Sequence, residues 1–233
     1  DYKQLRIRRY GFHGTSHMFV SGEAARYLNK PIDELKIITC HLGNGSSIAA
    51  VKNGKCADTS MGFTPLEGLP MGTRCGNIDA AVVETLCNKK NFTVSQTLSY
   101  LNKKCGMLGL SGVSSDFRDL TMGNAFDNPR NKLAVDIFAY SIKSYIGRYA
   151  AVMNGCDCIV FTAGVGENTP YVRYNACAEM DYLGVKIDKD KNENCPRGTI
   201  ADISARDSKV KILVIPTNEE LVIARETKRI AKI

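Results

Sequence analysis

Apolar positions along the chain follow two spacings, and the change between them marks out its parts. Between residues 36 and 60 they gather in short β-branched runs. Ile37-Ile38-Thr39-Cys40 reads as a buried strand, and the runs on either side of Asn53-Gly54 read as two more joined by a hairpin turn. From residue 78 the spacing lengthens to three and four. Ile78, Ala81, Val82 and Leu86 mark a helix opened by Asn77, and residues 93–105 a second helix with Gly106 just past its end. Val135, Phe138, Ile142, Ile146, Tyr149 and Met153 form the longest stripe, a core-facing helix with Pro129 in its first turn and Gly155 closing it. Beyond it the chain predicts a strand in DCIVFT, a helix from about Thr169 to Leu183, a strand in KVKILVIP, and a closing helix over 217–233 capped by Asn218 or Thr217. Residues 186–205 are polar and turn-rich, a loop or a peripheral strand pair.

Three meandering strands followed by alternating helices and strands predict an α/β fold with a mixed sheet, antiparallel early and parallel late. No internal repeat or low-complexity linker interrupts it. The 233 residues, 44% of them hydrophobic, suffice for one large domain or two small ones. The net charge of +7 suits an anionic small molecule; its basic residues are spread rather than clustered, which speaks against nucleic acid. No apolar run approaches the roughly 20 residues that cross a bilayer, so no membrane partner is expected. The nine cysteines, without a CxxC pair and with three histidines, make a zinc site a poor expectation and fit reduced thiols in a cytoplasmic protein.

Two strand ends run into glycines, CHLGNGSS and FTAGVGENTP. In the second, Gly164 and Gly166 allow close backbone approach, and a helix starting at Thr169 would aim unpaired N–H groups at an anion. Asn168 is a cap, a ligand contact, or both. Neither loop matches the P-loop or the dinucleotide pattern. Two such loops at the carboxyl ends of neighbouring strands point to a nucleotide or phosphate site, because ligands of open α/β sheets bind along that edge. Three further segments are rich in chemistry. RRYGFHGTSH holds His13 and His17, a pair that would face a metal on a helix, although Gly14 and Thr15 argue against a settled helix there. DTSMGFTPLEGLPMGTRCGN is a long loop carrying Arg74, and SGVSSDFRDL groups Asp116, Phe117 and Arg118.

Together these segments, with HLGNGSSIAAVKNGK and VIPTNEELVIARET, resemble the acetate kinase family in order and spacing over nearly the whole chain. The resemblance implies a ribonuclease-H-like lobe of the actin/sugar-kinase/Hsp70 superfamily, and reversible phosphoryl transfer between ATP and acetate giving acetyl phosphate and ADP. By the same resemblance His41, Leu42, Gly43, Asn44 and Gly45, with Gly164, Val165, Gly166, Glu167 and Asn168, form nucleotide loops; Asp116, Phe117 and Arg118 line the same site. His13 and Arg74 would stabilise the transition state, Glu219 would help hold Mg2+ (or Mn2+), and Phe12 and Pro65 would wall a pocket for the acyl methyl group. A homodimer through this lobe is also implied.

The family's first lobe, with its acidic catalytic residue and a further arginine, is not found in this sequence. The chain therefore reads as the second lobe over residues 1–233, with 1–35 as a lead-in, and as incomplete for catalysis alone. Cys75, Asn77 and Ala80 stand where the family more usually has Ser, Asp and Pro, whereas Asn168 matches its ATP-using majority. Propionate or butyrate as the acceptor, and a non-catalytic module that binds nucleotide or dimerises, are the alternatives.

Overall fold

The computed structural model describes residues 1–232. In chain order, α1 (Tyr2–Leu5) and α2 (Gly14–Leu28) precede β1 (Lys36–Leu42), β2 (Ser46–Lys52) and β3 (Lys55–Thr59). Then come α3 (Ala81–Lys90), α4 (Val94–Lys103), α5 (Gly106–Ser111), α6 (Phe117–Thr121) and the long α7 (Pro129–Met153). The last part holds β4 (Cys158–Thr162), α8 (Ala163–Asn168), α9 (Pro170–Cys177), α10 (Lys189–Glu193), β5 (Ala201–Asp202), β6 (Lys211–Val214) and α11 (Glu219–Ala231). Among the described residues the strands form one mixed sheet in the order β3-β2-β1-β4-β6-β5, with β1, β4 and β6 parallel to one another. This is the predicted mixed α/β sheet flanked by helices.

Strand alternation divides the core into two layers. Ile38, Cys40 and Leu42 on β1, Ile159 and Phe161 on β4, and Ile212 and Val214 on β6 pack with the stripe of α7. All six residues of that stripe are buried. The intervening positions Ile37, Val51, Cys158, Val160 and Leu213 pack against Val20, Ala24 and Ala25 of α2. Thr39 and His41 alternate with Ile37 and therefore face the α2 side, where the core turns from apolar to polar toward the carboxyl ends of the strands.

The structure corrects several boundaries. Residues 14–28 are helical despite Gly14 and Thr15, so the segment read as a lead-in supplies one layer of the fold. Asn77 does not open α3. It braces the long loop instead, its Oδ1 accepting from the Gly68 N–H (2.9 Å) and its Nδ2 donating to the Tyr145 hydroxyl (2.8 Å). Gly106 begins α5 rather than ending the previous helix, which closes at Lys104. The helix expected over 169–183 stops at Cys177 and resumes as a 3-10 turn at Asp181–Leu183. Residues 186–205 contain a short helix and a strand, β5, paired antiparallel with β6. Asn218 caps α11 by accepting from the Leu221 N–H (3.0 Å); Ile233, at the end of the predicted closing helix, lies outside the described residues.

Candidate functional site

Because β1, β4 and β6 run parallel, their carboxyl ends lie side by side, His41 beside Thr162 and Phe161 beside Val214. The segments that follow them, 43–45, 163–168 and 215–219, therefore share one edge of the sheet, where open α/β folds bind ligands. Leu42 and Val165 are buried in the core, so only their backbones are available to a ligand. Gly164 is open, with nothing within 4 Å of where a Cβ would stand, whereas a Cβ on Gly166 would meet the Phe161 carbonyl carbon at 3.4 Å. Gly164 thus leaves the backbone accessible, and Gly166 lets α8 pack on β4. The glycine segment is itself helical: α8 starts directly after β4, and the Thr169 N–H bonds to the Val165 carbonyl (3.0 Å). The helix expected to start at Thr169 is α9, with Thr169 at its N-cap and Pro170, which has no N–H, in its first turn; Asn168 is not its cap, and its Nδ2 donates back to the Gly164 carbonyl (2.8 Å). The turn from β4 into α8 requires φ +65° at Ala163, a left-handed conformation that costs a non-glycine residue roughly 1–2 kcal/mol.

Three histidines meet beside this edge. His13, at the N-terminus of α2, stacks on His41 with ring centroids 4.0 Å apart. His13 Nδ1 lies 2.8 Å from Ser47 Oγ, which lies 2.8 Å from His17 Nε2, and His17 Nδ1 lies 2.7 Å from Thr39 Oγ1. His41 Nδ1 pairs with Ser16 Oγ at 2.8 Å. Burial, with neighbouring histidines adding to it, pushes His17 down to about 3 and His41 to about 4. His13 is also lowered, first by burial; the Glu219 carboxylate acts to raise it and the Arg74 guanidinium to lower it.

Arg74 reaches the same place from the long loop. A Cβ placed on Gly45 would stand 3.3 Å from Arg74 Nη1 and 3.5 Å from His13 Nε2, so both side chains converge on one glycine. Arg74 Nη1 also donates to the Pro65 carbonyl (3.1 Å), which puts Pro65 beside it; Phe12, half-buried, precedes His13. The loop is held by the first turn of α5, whose Met107 and Leu108 N–H groups donate to the Met71 and Gly72 carbonyls (2.8 and 3.0 Å). The Gly72 N–H in turn donates to the Asn44 carbonyl (3.1 Å). Glu219, first residue of α11, accepts from Thr15 Oγ1 (2.9 Å) two residues from His13.

Asp116 and Arg118 form an exposed ion pair (2.6 Å) that holds the Asp116 carboxyl below its ordinary range, Arg118 being the cause. They adjoin the Asn44 loop through Ser115, whose carbonyl stands 3.2 Å from the Cβ position of Gly72. Phe117 packs in the core against Phe138 (centroids 4.7 Å), so its ring anchors the pair from below. Glu167 is half-buried and raised by that burial.

Sequence reasoning passed over Ser16, Thr39 and Ser47, and also Arg173 and Asn192. For the first group a signal existed. Alternation puts 37, 39 and 41 on one face, and the hairpin register sets Ser47 opposite His41. Arg173, fully buried, donates to the Gly166 and Glu167 carbonyls (3.0 and 2.8 Å) and fixes the end of α8. Among the described residues no group of three His, Cys, Asp or Glu side chains could hold a metal ion, and no helix is long and apolar enough to cross a membrane.

The sequence profile of the acetokinase family matches residues 1–225. An acetate kinase of Caldicellulosiruptor saccharolyticus is 58% identical over 229 residues, 98% of this chain and 57% of that protein. The crystal structure of Porphyromonas gingivalis acetate kinase superposes with a TM-score of 0.95 at 46% identity, covering 99% of this chain and 57% of its own. A propionate kinase from Francisella tularensis subsp. tularensis SCHU S4 superposes at 0.89 and 40% identity, covering 97% of this chain and 56% of its own. The chain thus spans a little over half the length of the relatives it matches.

Proposed function

The chain belongs to the acetokinase family, and from that membership we propose that it is the nucleotide-binding lobe of a carboxylate kinase. The reaction is reversible phosphoryl transfer between ATP and acetate, giving acetyl phosphate and ADP. The observation that carries this reading is the convergence of His13 Nε2 and Arg74 Nη1 on Gly45, at the shared carboxyl edge of three parallel strands. Phosphoryl transfer spreads negative charge over three equatorial oxygens, and fixed donors aimed at them supply most of what a protein contributes. Arg74 brings a planar fork of N–H groups, and His13 a ring whose approach is set by stacking on His41.

In this reading the 43–45 and 163–168 segments hold the nucleotide phosphates, and Asp116 and Arg118 border the nucleoside. Phe12 and Pro65 flank the acyl group. Glu219 fits a magnesium site of the kind in which a carboxylate and the nucleotide's own phosphates would share the ion, since its hard oxygen donor stands two residues from His13 through Thr15 and, among the described residues, no cluster of three His, Cys, Asp or Glu side chains forms an all-protein cage. When bound, the ion would neutralise negative charge on the nucleotide phosphates. A homodimer through this lobe completes the proposal, and sedimentation showing only monomer would count against it.

A titration calorimetry experiment with magnesium-ADP tests the assignment on the chain as it stands. Saturable binding that Asn44→Ala weakens is expected, and absence of binding by folded chain would refute a self-sufficient nucleotide site. Turnover is measured with the remaining part of a relative supplied in trans. If that restores none while nucleotide still binds, the lobe is a binding module. The propionate kinase likeness gives a second acceptor its standing. One methylene in an apolar pocket changes discrimination by about 1–3 kcal/mol, so rates on acetate, propionate and butyrate side by side decide it.

A further inference from the structure

The hydrogen bonds behind His13 run in one direction only. Thr39 Oγ1 is fully buried and, among the described residues, has His17 Nδ1 as its one partner. A hydroxyl carries one proton, and a buried O–H left without an acceptor costs about 1–3 kcal/mol. Thr39 therefore donates to His17 Nδ1. His17 is neutral, so with Nδ1 accepting, its proton sits on Nε2 and is donated to Ser47 Oγ. Ser47 is also fully buried, and its remaining partner is His13 Nδ1. Its hydroxyl proton goes there. His13 Nδ1 is then an acceptor, and the neutral ring carries its proton on Nε2, the nitrogen that faces Gly45 and Arg74.

We propose that Thr39, His17 and Ser47 are positioning residues that fix His13 in the Nε2–H tautomer, so that the site presents an uncharged N–H donor beside the Arg74 guanidinium. The direction of the chain stands on geometry alone; its use toward a phosphoryl oxygen rests on the kinase reading. The reverse order would aim a bare nitrogen lone pair at an anionic group. Ser47 is the hinge of the arrangement, because its single oxygen must accept from one imidazole and donate to the other. Alanine there would remove both bonds at once, whereas threonine would keep them.

The test reads the tautomers directly. With 15N in the histidine rings, two-bond proton–nitrogen correlation spectra of the chain near pH 7 contain three imidazole patterns, assigned through His13→Gln and His41→Gln. The expected result is a protonated Nε2 and an unprotonated Nδ1 for both His13 and His17. A His13 proton on Nδ1 in the unsubstituted chain overturns the proposal, whatever any variant does. Ser47→Ala is expected to move His13 to a mixture of tautomers, and Ser47→Thr to restore the original pattern. Thr39→Val removes the origin of the chain and is expected to shift His17 and, through it, His13, which Thr39 does not hydrogen-bond. Unchanged patterns in a Thr39→Val chain with the parent's amide spectrum would likewise overturn it. Calorimetry with magnesium-ADP reports on the kinase reading separately, so failure of either is recognisable.

Discussion

Arg173 and Asn192 form a buried pair: the guanidinium Nε donates to Asn192 Oδ1 and Nη2 to the Asn192 carbonyl, each at 2.8 Å. With the Gly166 and Glu167 carbonyls, the hydrogen bonds of this arginine among the described residues all end on neutral oxygens and none on a carboxylate. The charge is met by carbonyl dipoles, two of them at the carboxyl end of α8, where the helix dipole favours a cation. Arg173→Met would leave those carbonyls buried and unpaired and is expected to lower stability by about 3 kcal/mol. Urea denaturation checks this, and a loss below 1 kcal/mol would show that water or rearrangement replaces the bonds. Arg173→Lys cannot reproduce the planar fork and is expected to recover only part of the loss.

The histidine cluster makes stability depend on pH. An unfolded histidine titrates near 6.5, whereas burial holds His17 at about 3 and His41 at about 4 in the folded chain. Below about pH 6.5 the unfolded chain binds protons that the folded chain does not. Stability is therefore fullest above that value and falls as pH drops toward 4. Moving from pH 7 to 5.5 is expected to cost about 2–3 kcal/mol from these two groups together. Urea midpoints at the two pH values measure it, and an equal or higher midpoint at pH 5.5 would contradict the assignment.

Gly72 separates binding from folding. A Cβ there would stand 2.1 Å from Asn44 Oδ1, the movable end of an exposed side chain, and 3.2 Å from the Ser115 carbonyl. Gly72→Ala is expected to displace the Asn44 side chain with a stability change below about 1 kcal/mol, and to weaken magnesium-ADP as Asn44→Ala does. Parent affinity in this variant would remove the Asn44 side chain from the nucleotide site.

Gly106 gives the opposite case. Its φ is +58°, and a Cβ would stand 1.9 Å from the Met71 carbonyl oxygen and 2.6 Å from that of Arg74. Both obstacles are backbone, so neither turns aside. Gly106→Ala is expected to cost upwards of about 3 kcal/mol or to tear the 71–74 turn away from α5. Thermal unfolding that matches the parent would show the turn to be looser than this packing implies.

Elements announced by local spacing were legible in the sequence: the Asn53-Gly54 hairpin, α7 with its buried stripe, and β4 followed by glycines. Elements that depend on tertiary partners were not. α2 starts at Gly14 and His13, weak helix formers whose position is secured by Ser47, His41 and the sheet beneath them rather than by propensity. α8 hides behind two glycines because its conformation is set by Arg173 from nine residues downstream of Gly164. Asn77 looked like a cap, since an asparagine before an apolar run is one, yet the loop required it more. Of the residues named from the sequence, His13, Asn44, Gly45, Arg74 and Glu219 lie near one another at one edge of the sheet, and Asp116 adjoins them through Ser115. What pattern alone could not supply is the direction in which Leu42, Phe117 and Val165 point, which is into the core.

The sheet's two margins have a consequence for how copies of the chain could meet. β5 is two residues long, and β3 is bulged against β2 between Ala50 and Val51. Arg9 Nη1 donates to the Thr59 and Met61 carbonyls (3.0 and 3.2 Å), and the Tyr10 N–H to that of Gly62 (2.9 Å), so the chain's own start occupies backbone acceptors at and just past the end of β3. Margins that are short, kinked or already occupied offer a poor template for strand addition, the route by which sheets fuse into continuous ribbons or aggregates. Joining of copies edge to edge through this sheet is thereby disfavoured at both of its margins.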